Sequence, residues 1–206
     1  MNISVIIPVY NAALFVEKAV TSALFHNEVK EIVLVNDGST DNSLPILQKL
    51  QQSDARIKIY HHENNSNKGR SASRNLALKK ATQPFIAFLD ADDFYLENRF
   101  ENDLKLFESD SSIDGVYNAI GVCFYRNATQ EEKNELNLTT VRENILPVNL
   151  FEELLSGKKG YFSIDGLVVK KQVFDRIGYF NEELLVAEDT ELILKMALRS
   201  KLVTGI

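Results

Sequence analysis

Runs of β-branched and other apolar residues alternate with segments of helical periodicity through the first ninety residues, and that alternation leaves very few folds open. The first run, Ile3-Ser4-Val5-Ile6-Ile7-Pro8-Val9, reads as a strand ending in Tyr10-Asn11. The second, Glu31 to Val35, breaks into Asn36-Asp37-Gly38; the third, Arg56 to His61, alternates; the fourth, Phe85 to Leu89, is apolar throughout and stops in Asp90-Ala91-Asp92-Asp93. An apolar run without polar alternation suits a parallel strand covered on both faces. Between the runs, Val16, Ala19, Val20, Ala23 and Leu24 form one helical stripe, and Leu44, Leu47 and Leu50 form a second. Ser39, Thr40 or Asp41 is placed to cap that second helix, with Pro45 tolerated in its first turn. A third stripe, Ala72, Leu76, Ala77 and Ala81, leaves Arg70, Arg74, Lys79 and Lys80 on a polar side and ends at Pro84. The expected fold class is therefore α/β: a Rossmann-like, mostly parallel sheet with helices on both faces and right-handed crossovers.

The second half is less regular. Leu96 to Phe107 reads as a helix, Gly115 to Tyr125 as one or two strands, and the polar stretch 127–144 as an excursion over the surface. A short helix over Val148–Leu155, a strand over Ile164–Val169 and a short helix over Lys171–Ile177 closed by Gly178 follow. Glu188-Asp189-Thr190-Glu191 opens a helix carrying Leu192, Ile193, Met196 and Ala197, and 201–206 reads as a strand just beginning, as in a domain truncated at its C-terminus. The strands of this half are expected to be mixed in direction, within a single domain over 1–206.

Composition narrows the function. With 45% hydrophobic residues in 206 the chain can fill one sizeable core. It has no apolar run of membrane-spanning length and no signal peptide at Met1-Asn2-Ile3, so the expectation is a cytoplasmic protein with at most peripheral contact at an inner membrane. Cys123 is the single cysteine, which excludes an internal disulfide, and in an apolar strand it is expected to be a buried small hydrophobe. A net charge of −6 argues against nucleic acid as a partner, because that affinity rests on clustered Lys and Arg.

The chemistry gathers where strands end. Parallel strands place Tyr10-Asn11, Asn36-Asp37 and Asp90-Asp92-Asp93 at one sheet edge, the edge at which open α/β sheets bind ligands. The adjacent carboxylates repel one another; a hard cation held by oxygen ligands is the simplest way to balance them, and the alternative is a solvated acidic turn with Asp93 capping the next helix. Neither G-x-G-x-x-G nor G-x-x-x-x-G-K-[ST] occurs, so a phosphate bound here would be neutralised by a cation with Arg70 or Arg74 rather than by a glycine loop. His61 and His62, adjacent on a strand, point to opposite faces and are assigned structural roles.

Pro8-Val9-Tyr10-Asn11, Val35 to Asp41, Asn67-Lys68-Gly69 with Ala72-Ser73-Arg74-Asn75, Leu89 to Asp93, and Gly178-Tyr179-Phe180 followed by Glu188-Asp189 together resemble family 2 glycosyltransferases, and stand in that family's order over nearly the whole chain. The resemblance implies a GT-A fold, a nucleotide-diphosphate sugar donor, Mg2+ or Mn2+, and inverting transfer of a hexosyl or N-acetylhexosaminyl group to a saccharide or lipid-linked saccharide acceptor in bacterial cell-surface polysaccharide synthesis. It implies that 1–110 is the donor-binding half and 111–206 the acceptor and catalytic-base half, with a homodimer as one arrangement. By motif, Pro8, Tyr10 and Asn11 would line the nucleotide pocket, Asp37 bind the base or ribose, and Arg74 and Ala91 lie at the donor. Asp90 and Asp92 would form the metal pair, with Asp92 the direct ligand, and Asp189 would be the catalytic base.

Each of these residues also has an ordinary use. Asp37 fits a turn before Gly38, Asp189 a helix cap, Arg74 a solvated helix position and Tyr10 a core aromatic. A phosphohydrolase with an Asp-x-Asp nucleophile needs a hydroxyl residue two places after the second Asp, where this chain has Phe94 after Asp93. The remaining alternative is a catalytically incomplete domain that binds a nucleotide sugar.

Overall fold

The protein is described from a computed structural model that covers residues 1–136, 140, 141 and 143–205. Seven strands form one sheet: β1 (Ile3–Val9), β2 (Val29–Asn36), β3 (Ile57–His61), β4 (Phe85–Phe88), β5 (Gly115–Tyr117), β6 (Leu167–Lys170) and β7 (Leu202–Thr204), in the spatial order β3-β2-β1-β4-β6-β5-β7. The first four are mutually parallel. β6 runs antiparallel to both β4 and β5, and β7 pairs parallel with β5. The mixed α/β class expected from the sequence, parallel at its start and mixed in its second half, is the class observed.

Side-chain alternation along the strands explains the layers. Ile6, Val33, Val35, Ile86 and Phe88 point into a core shared with α3 (Arg70–Lys80), α6 (Leu150–Ser156), α7 (Val173–Ile177) and α8 (Glu188–Arg199). Val5, Ile7, Val9, Ile32, Leu34 and Ala87 point the other way, against α1 (Val16–Leu24) and α2 (Ser43–Ser53), with Phe100 and Phe107 from the start and body of α4 (Glu101–Ser109) at the margin. Each fully buried Val, Leu or Ile contributes roughly 1.5–3 kcal/mol. Because both faces are covered, the apolar runs show no polar alternation.

Several local expectations are corrected. The helix expected from Leu96 begins at Glu101. Tyr95 is buried, its hydroxyl donates to the Phe88 carbonyl at 2.5 Å, and its N–H donates to Ser22 Oγ at 3.0 Å, so the chain after Asp93 folds back over the end of β4 before any helix can start. Of the one or two strands expected over Gly115–Tyr125, β5 spans only Gly115–Tyr117; just beyond it the Asn118 N–H donates to the Gly166 carbonyl and its side-chain amide to Asp103 Oδ1. Cys123 lies exposed rather than buried. Ile164–Gly166 is a 3₁₀ turn preceding β6: Ser163 Oγ accepts the Asp165 N–H at its start, and a Cβ on Gly166 would collide with the Asn118 carbonyl. Within the polar stretch 127–144, α5 (Gln130–Glu135) starts with a Thr129–Glu132 capping box, and Val141 is buried, as is Ile145 just beyond. Residues 137–139 and 142, and Ile206 of the expected last strand, lie outside the described residues. The residue flanking α2 is Asn42 rather than Ser39, Thr40 or Asp41, although Asp41 Oδ1 accepts the Ser43 N–H at 2.9 Å and so supplies the expected carboxylate. No helix among the described residues is long and apolar enough to cross a membrane.

Candidate functional site

The carboxyl ends of β1, β2 and β4 open onto a cleft of about 480 Å³. Its walls include Pro8, Tyr10, Asn11, Asp37, Asp90, Ala91 and Asp92, all singled out from the sequence, together with Phe15, Gly69 and Arg70. Arg74 and Asp189 are absent from that wall.

Asp37 is 3% exposed, and its conformation is fixed by backbone donors: its two oxygens accept the N–H groups of Lys68, at 2.7 Å, and of Gly69, on the cleft wall, at 2.9 Å. This ties the end of β2 to the loop that enters α3. Gly38 next to it has φ +71°, and a Cβ there would stand 2.7 Å from the Asn65 carbonyl, so this turn admits only glycine. His62, assigned a structural role from the sequence, has Nε2 2.9 Å from Ser73 Oγ and 3.5 Å from Asp37 Oδ1, behind the cleft. Asn11 also serves the scaffold: at φ 51° it directs Oδ1 toward the N–H groups of Thr40, at 2.8 Å, and Asp41, at 3.3 Å, binding the first strand-end loop to the second. Tyr10, by contrast, is half-exposed at the mouth.

Arg74 corrects the expectation of a residue available on the polar side of its helix. It is 2% exposed. Nη2 donates to Asp90 Oδ1 at 2.6 Å and Nη1 to Glu188 Oε1 at 2.9 Å, while the guanidinium lies 5.4 Å from the Phe180 ring centroid. Burial opposes its charge, but the facing Asp90, Asp165 and Glu188 carboxylates outweigh burial and hold its pKa above the ordinary arginine value. Arg70 Nε meets the same Glu188 oxygen at 2.8 Å, and its Nη2 donates to the Leu185 carbonyl. A continuous chain of ion pairs thus joins the end of β4 through α3 to the first residue of α8, and places Asp189, the next residue, beside this edge of the sheet. Ala187 before it is left-handed at φ 58°, which turns the chain sharply into the helix. Asp189 is half-buried and its Oδ1 accepts the Thr190 N–H at 2.7 Å.

Three further carboxylates surround Asp90. Asp92 and Asp93 are exposed, whereas Asp165, on the 3₁₀ turn before β6, is 8% exposed and its Oδ1 has no hydrogen-bond partner. Burial pushes the Asp165 carboxyl well above the usual carboxylate range; the negative charges of Asp90 and Asp93 add to that shift and Arg74 opposes it. Burial also raises Asp93, with Asp92 and Asp90 contributing, while its hydrogen bond with Asp165 acts in the other direction. An all-oxygen donor set with surplus negative charge and a buried, unpartnered carboxylate oxygen fits a hard divalent cation. Among the described residues no three His, Cys, Asp or Glu side chains converge as a ready-made cage. The protein could therefore hold Mg2+ or Mn2+ through Asp92 and Asp90, with remaining positions left to water and ligand oxygens.

Sequence reasoning placed Asp189 but gave Glu188 no role, and missed Asp165, which in Ser163-Ile164-Asp165-Gly166 looks like an ordinary turn residue. Glu188 carried a signal, an acid paired with Asp189 at a helix start. Asp165 carried none, since its burial depends on β4 and β6 lying side by side.

The family model described as glycosyl transferase family 2 matches residues 4–178. An uncharacterized glycosyltransferase of Rickettsia felis is 32% identical over 94% of this chain and 31% of its own length. The putative teichuronic acid biosynthesis glycosyltransferase TuaG of Bacillus subtilis is 38% identical over 50% of this chain and 40% of its own. The chain thus spans less than half the length of these relatives. Among solved structures, S. aureus TarS 1-349 in complex with UDP-GlcNAc superposes with a TM-score of 0.74 at 23% identity, covering 99% of this chain and 56% of that one. The mannosyltransferase PcManGT from Pyrobaculum calidifontis in complex with GDP-Man and Mn2+ superposes with a TM-score of 0.67 at 18% identity, covering 98% and 54%. These likenesses establish the fold as GT-A.

Proposed function

The chain belongs to glycosyl transferase family 2, and on that premise we propose that it takes a nucleotide-diphosphate sugar into the strand-end cleft and moves the sugar, with inversion, to a hydroxyl of a saccharide or lipid-linked acceptor. The observation that carries this is the Asp90–Arg74–Glu188 bridge, which joins the donor edge of the sheet to the helix start that bears Asp189. Pro8 and Tyr10 flank the nucleotide, Asn11 and Asp37 hold the loops that shape its pocket, and Asp37 meets the base or ribose. Arg70, on the cleft wall, and Arg74, behind Asp90, oppose the negative charge of the diphosphate.

Asp92 and Asp90 would hold Mg2+ or Mn2+, which when bound neutralises charge developing on the departing diphosphate. Asp189 takes the acceptor hydroxyl proton as that oxygen attacks the anomeric carbon. The bond from that carbon to the diphosphate oxygen breaks on the opposite face, and the nucleoside diphosphate leaves with the electron pair. A single displacement with base and leaving group on opposite faces inverts the anomeric centre. Glu188 cannot be the base in this arrangement, because both arginines already engage its Oε1 and it is 2% exposed.

The donor-binding half is 1–110 and the acceptor half 111–206. TuaG is named for teichuronic acid biosynthesis, which supports a role for this chain in bacterial cell-surface polysaccharide synthesis, in the cytoplasm or peripherally at the inner membrane. Titration calorimetry with UDP, GDP and dTDP and their sugars, in Mn2+ or in EDTA, tests the reading. Metal-dependent binding of one of them is expected; binding of none overturns it. Metal-dependent binding with neither hydrolysis nor transfer would leave the chain a donor-binding domain.

A further inference from the structure

The catalytic base proposed above has no distant side-chain anchor of its own. Among the described residues the Asp189 carboxylate accepts hydrogen bonds only from Thr190, the residue after it. Its place at the sheet edge is therefore set by the backbone that leads to it, and residues 178–187, between α7 and α8, form neither helix nor strand. A segment without a regular ladder has to find its hydrogen bonds elsewhere. Here they come from α3. Asn75, 4% exposed, pairs with Phe180 as one strand pairs with another: its Oδ1 accepts the Phe180 N–H at 2.9 Å, and its Nδ2 donates to the Phe180 carbonyl at 2.9 Å. Nδ2 also donates to Glu182 Oε1 at 2.8 Å. The Phe180 ring is buried, edge-on to Phe88 of β4 with centroids 5.8 Å apart. Further along, Arg70 donates to the Leu185 carbonyl and, with Arg74, engages Glu188. The path to Asp189 is thus tied to α3 at both ends, and Asn75 makes the first tie.

We propose that Asn75 is a positioning residue for Asp189: by fixing Phe180 and Glu182 it sets the course of the segment that delivers the base to the strand-end cleft, without touching donor or acceptor. The role rests on Asp189 being the base, as proposed above. Asparagine suits this geometry because one planar amide accepts from an N–H, donates to a carbonyl, and has a second N–H left for Glu182. Aspartate has the same shape but no donor, and its charge would face Glu182. Asn75 lies outside the cleft wall, so contacts to the donor do not depend on its side chain directly. Misplacing a catalytic group by about 1 Å can cost on the order of a hundredfold in rate, even when the substitution is remote from the chemistry.

The test uses the full chain with Mn2+ and takes water as the acceptor: the water oxygen bonds to the anomeric carbon, Asp189 takes its proton, and the nucleoside diphosphate leaves with the electron pair of the broken bond. UDP-glucose, UDP-N-acetylglucosamine and GDP-mannose are the donors; release of UDP or GDP gives the rate, and calorimetry gives the Kd for UDP and GDP. Asn75→Asp is expected to slow hydrolysis per folded molecule about tenfold with that Kd held within about twofold, a split that a residue needed only for folding does not produce. Adding Glu182→Gln places a donor opposite the new carboxylate, so the double variant should regain about threefold of the loss. Should Asn75→Asp not fold, Glu182→Ala, at an exposed position, carries the test: it removes only the Asn75–Glu182 bond and should slow hydrolysis about threefold at unchanged Kd. Wild-type hydrolysis in the variant that folds, or a Kd weakened in step with the rate, overturns the proposal. Asp189→Asn separates the two levels. If it loses hydrolysis while the Asn75 and Glu182 variants keep it, the base stands and the positioning role falls; if wild type hydrolyses no donor, or Asp189→Asn matches wild type, the base assignment falls and the positioning role with it.

Discussion

Replacing Arg74 by Met keeps most of the side-chain volume and removes the charge that bridges Asp90 and Glu188. The two carboxylates left behind are not equally exposed to the loss. Asp90 has a side chain 37% exposed, so water replaces much of its lost partner. Glu188 has a side chain 3% exposed but keeps Arg70 at 2.8 Å. Breaking a fully buried pair by removing one partner costs about 3–5 kcal/mol. With one acid half-solvated and the other retaining a cation, the expected loss falls below that range, at about 2–3 kcal/mol. At roughly 2–3 kcal/mol per molar urea for a chain of this size, the unfolding midpoint should fall by about 1 M. Urea denaturation followed by circular dichroism, in EDTA at pH 7, measures it. A midpoint within 0.2 M of wild type would show that the bridge contributes nothing net and that Glu188 and Asp90 are held by the backbone alone. Arg74→Lys supplies the contrast: one ammonium cannot reach both acids with the planar fork, so it should recover less than half of the loss.

Asp92→Asn should abolish metal-dependent donor binding, while Asp189→Asn keeps that binding and loses transfer by at least a hundredfold; equal loss of binding in both would refute the separate roles. His26 is 6% exposed among Phe25, Tyr95 and Phe100, and burial lowers its pKa, so the unfolded chain binds the proton more readily. Stability should therefore fall as pH drops through about 6.5 toward 5, and His26→Phe should flatten that part of a melting-temperature profile. Gly38→Ala should cost about 2 kcal/mol or more by urea denaturation, from the left-handed φ together with the close approach to the Asn65 carbonyl. The Tyr117 hydroxyl is buried without a partner, so Tyr117→Phe should leave the unfolding midpoint unchanged or raise it by the equivalent of about 1 kcal/mol. Cys123, being exposed, should react with a small disulfide reagent in the native protein as fast as after denaturation.

The first four strands and the helices between them are legible in the sequence because burial on both faces writes an unbroken apolar run, and an amphipathic helix writes a 3.6-residue stripe; neither depends on distant partners. From those elements follows the common edge where Tyr10, Asp37, Asp90 and Asp92 meet, since parallel strands necessarily end together. The three-residue strands β5 and β7 carry too few residues to show a period, and the strands they pair with, β6 and β5, are remote in sequence. Cys123 lies beyond β5 and is exposed. Arg74 shows the limit most directly: its place on a polar helical stripe reads as solvated, and only the packing of α8 and the end of β4 against that stripe buries it. Asp165 is its counterpart, an ordinary turn acid in sequence that is buried just before β6, the strand paired with β4. Local periodicity determines the elements and which edge carries the chemistry. Which charges face one another across that edge, and which lose their water, is decided by contacts between segments distant in sequence, such as Arg70 and Arg74 with Glu188, and no local pattern encodes those.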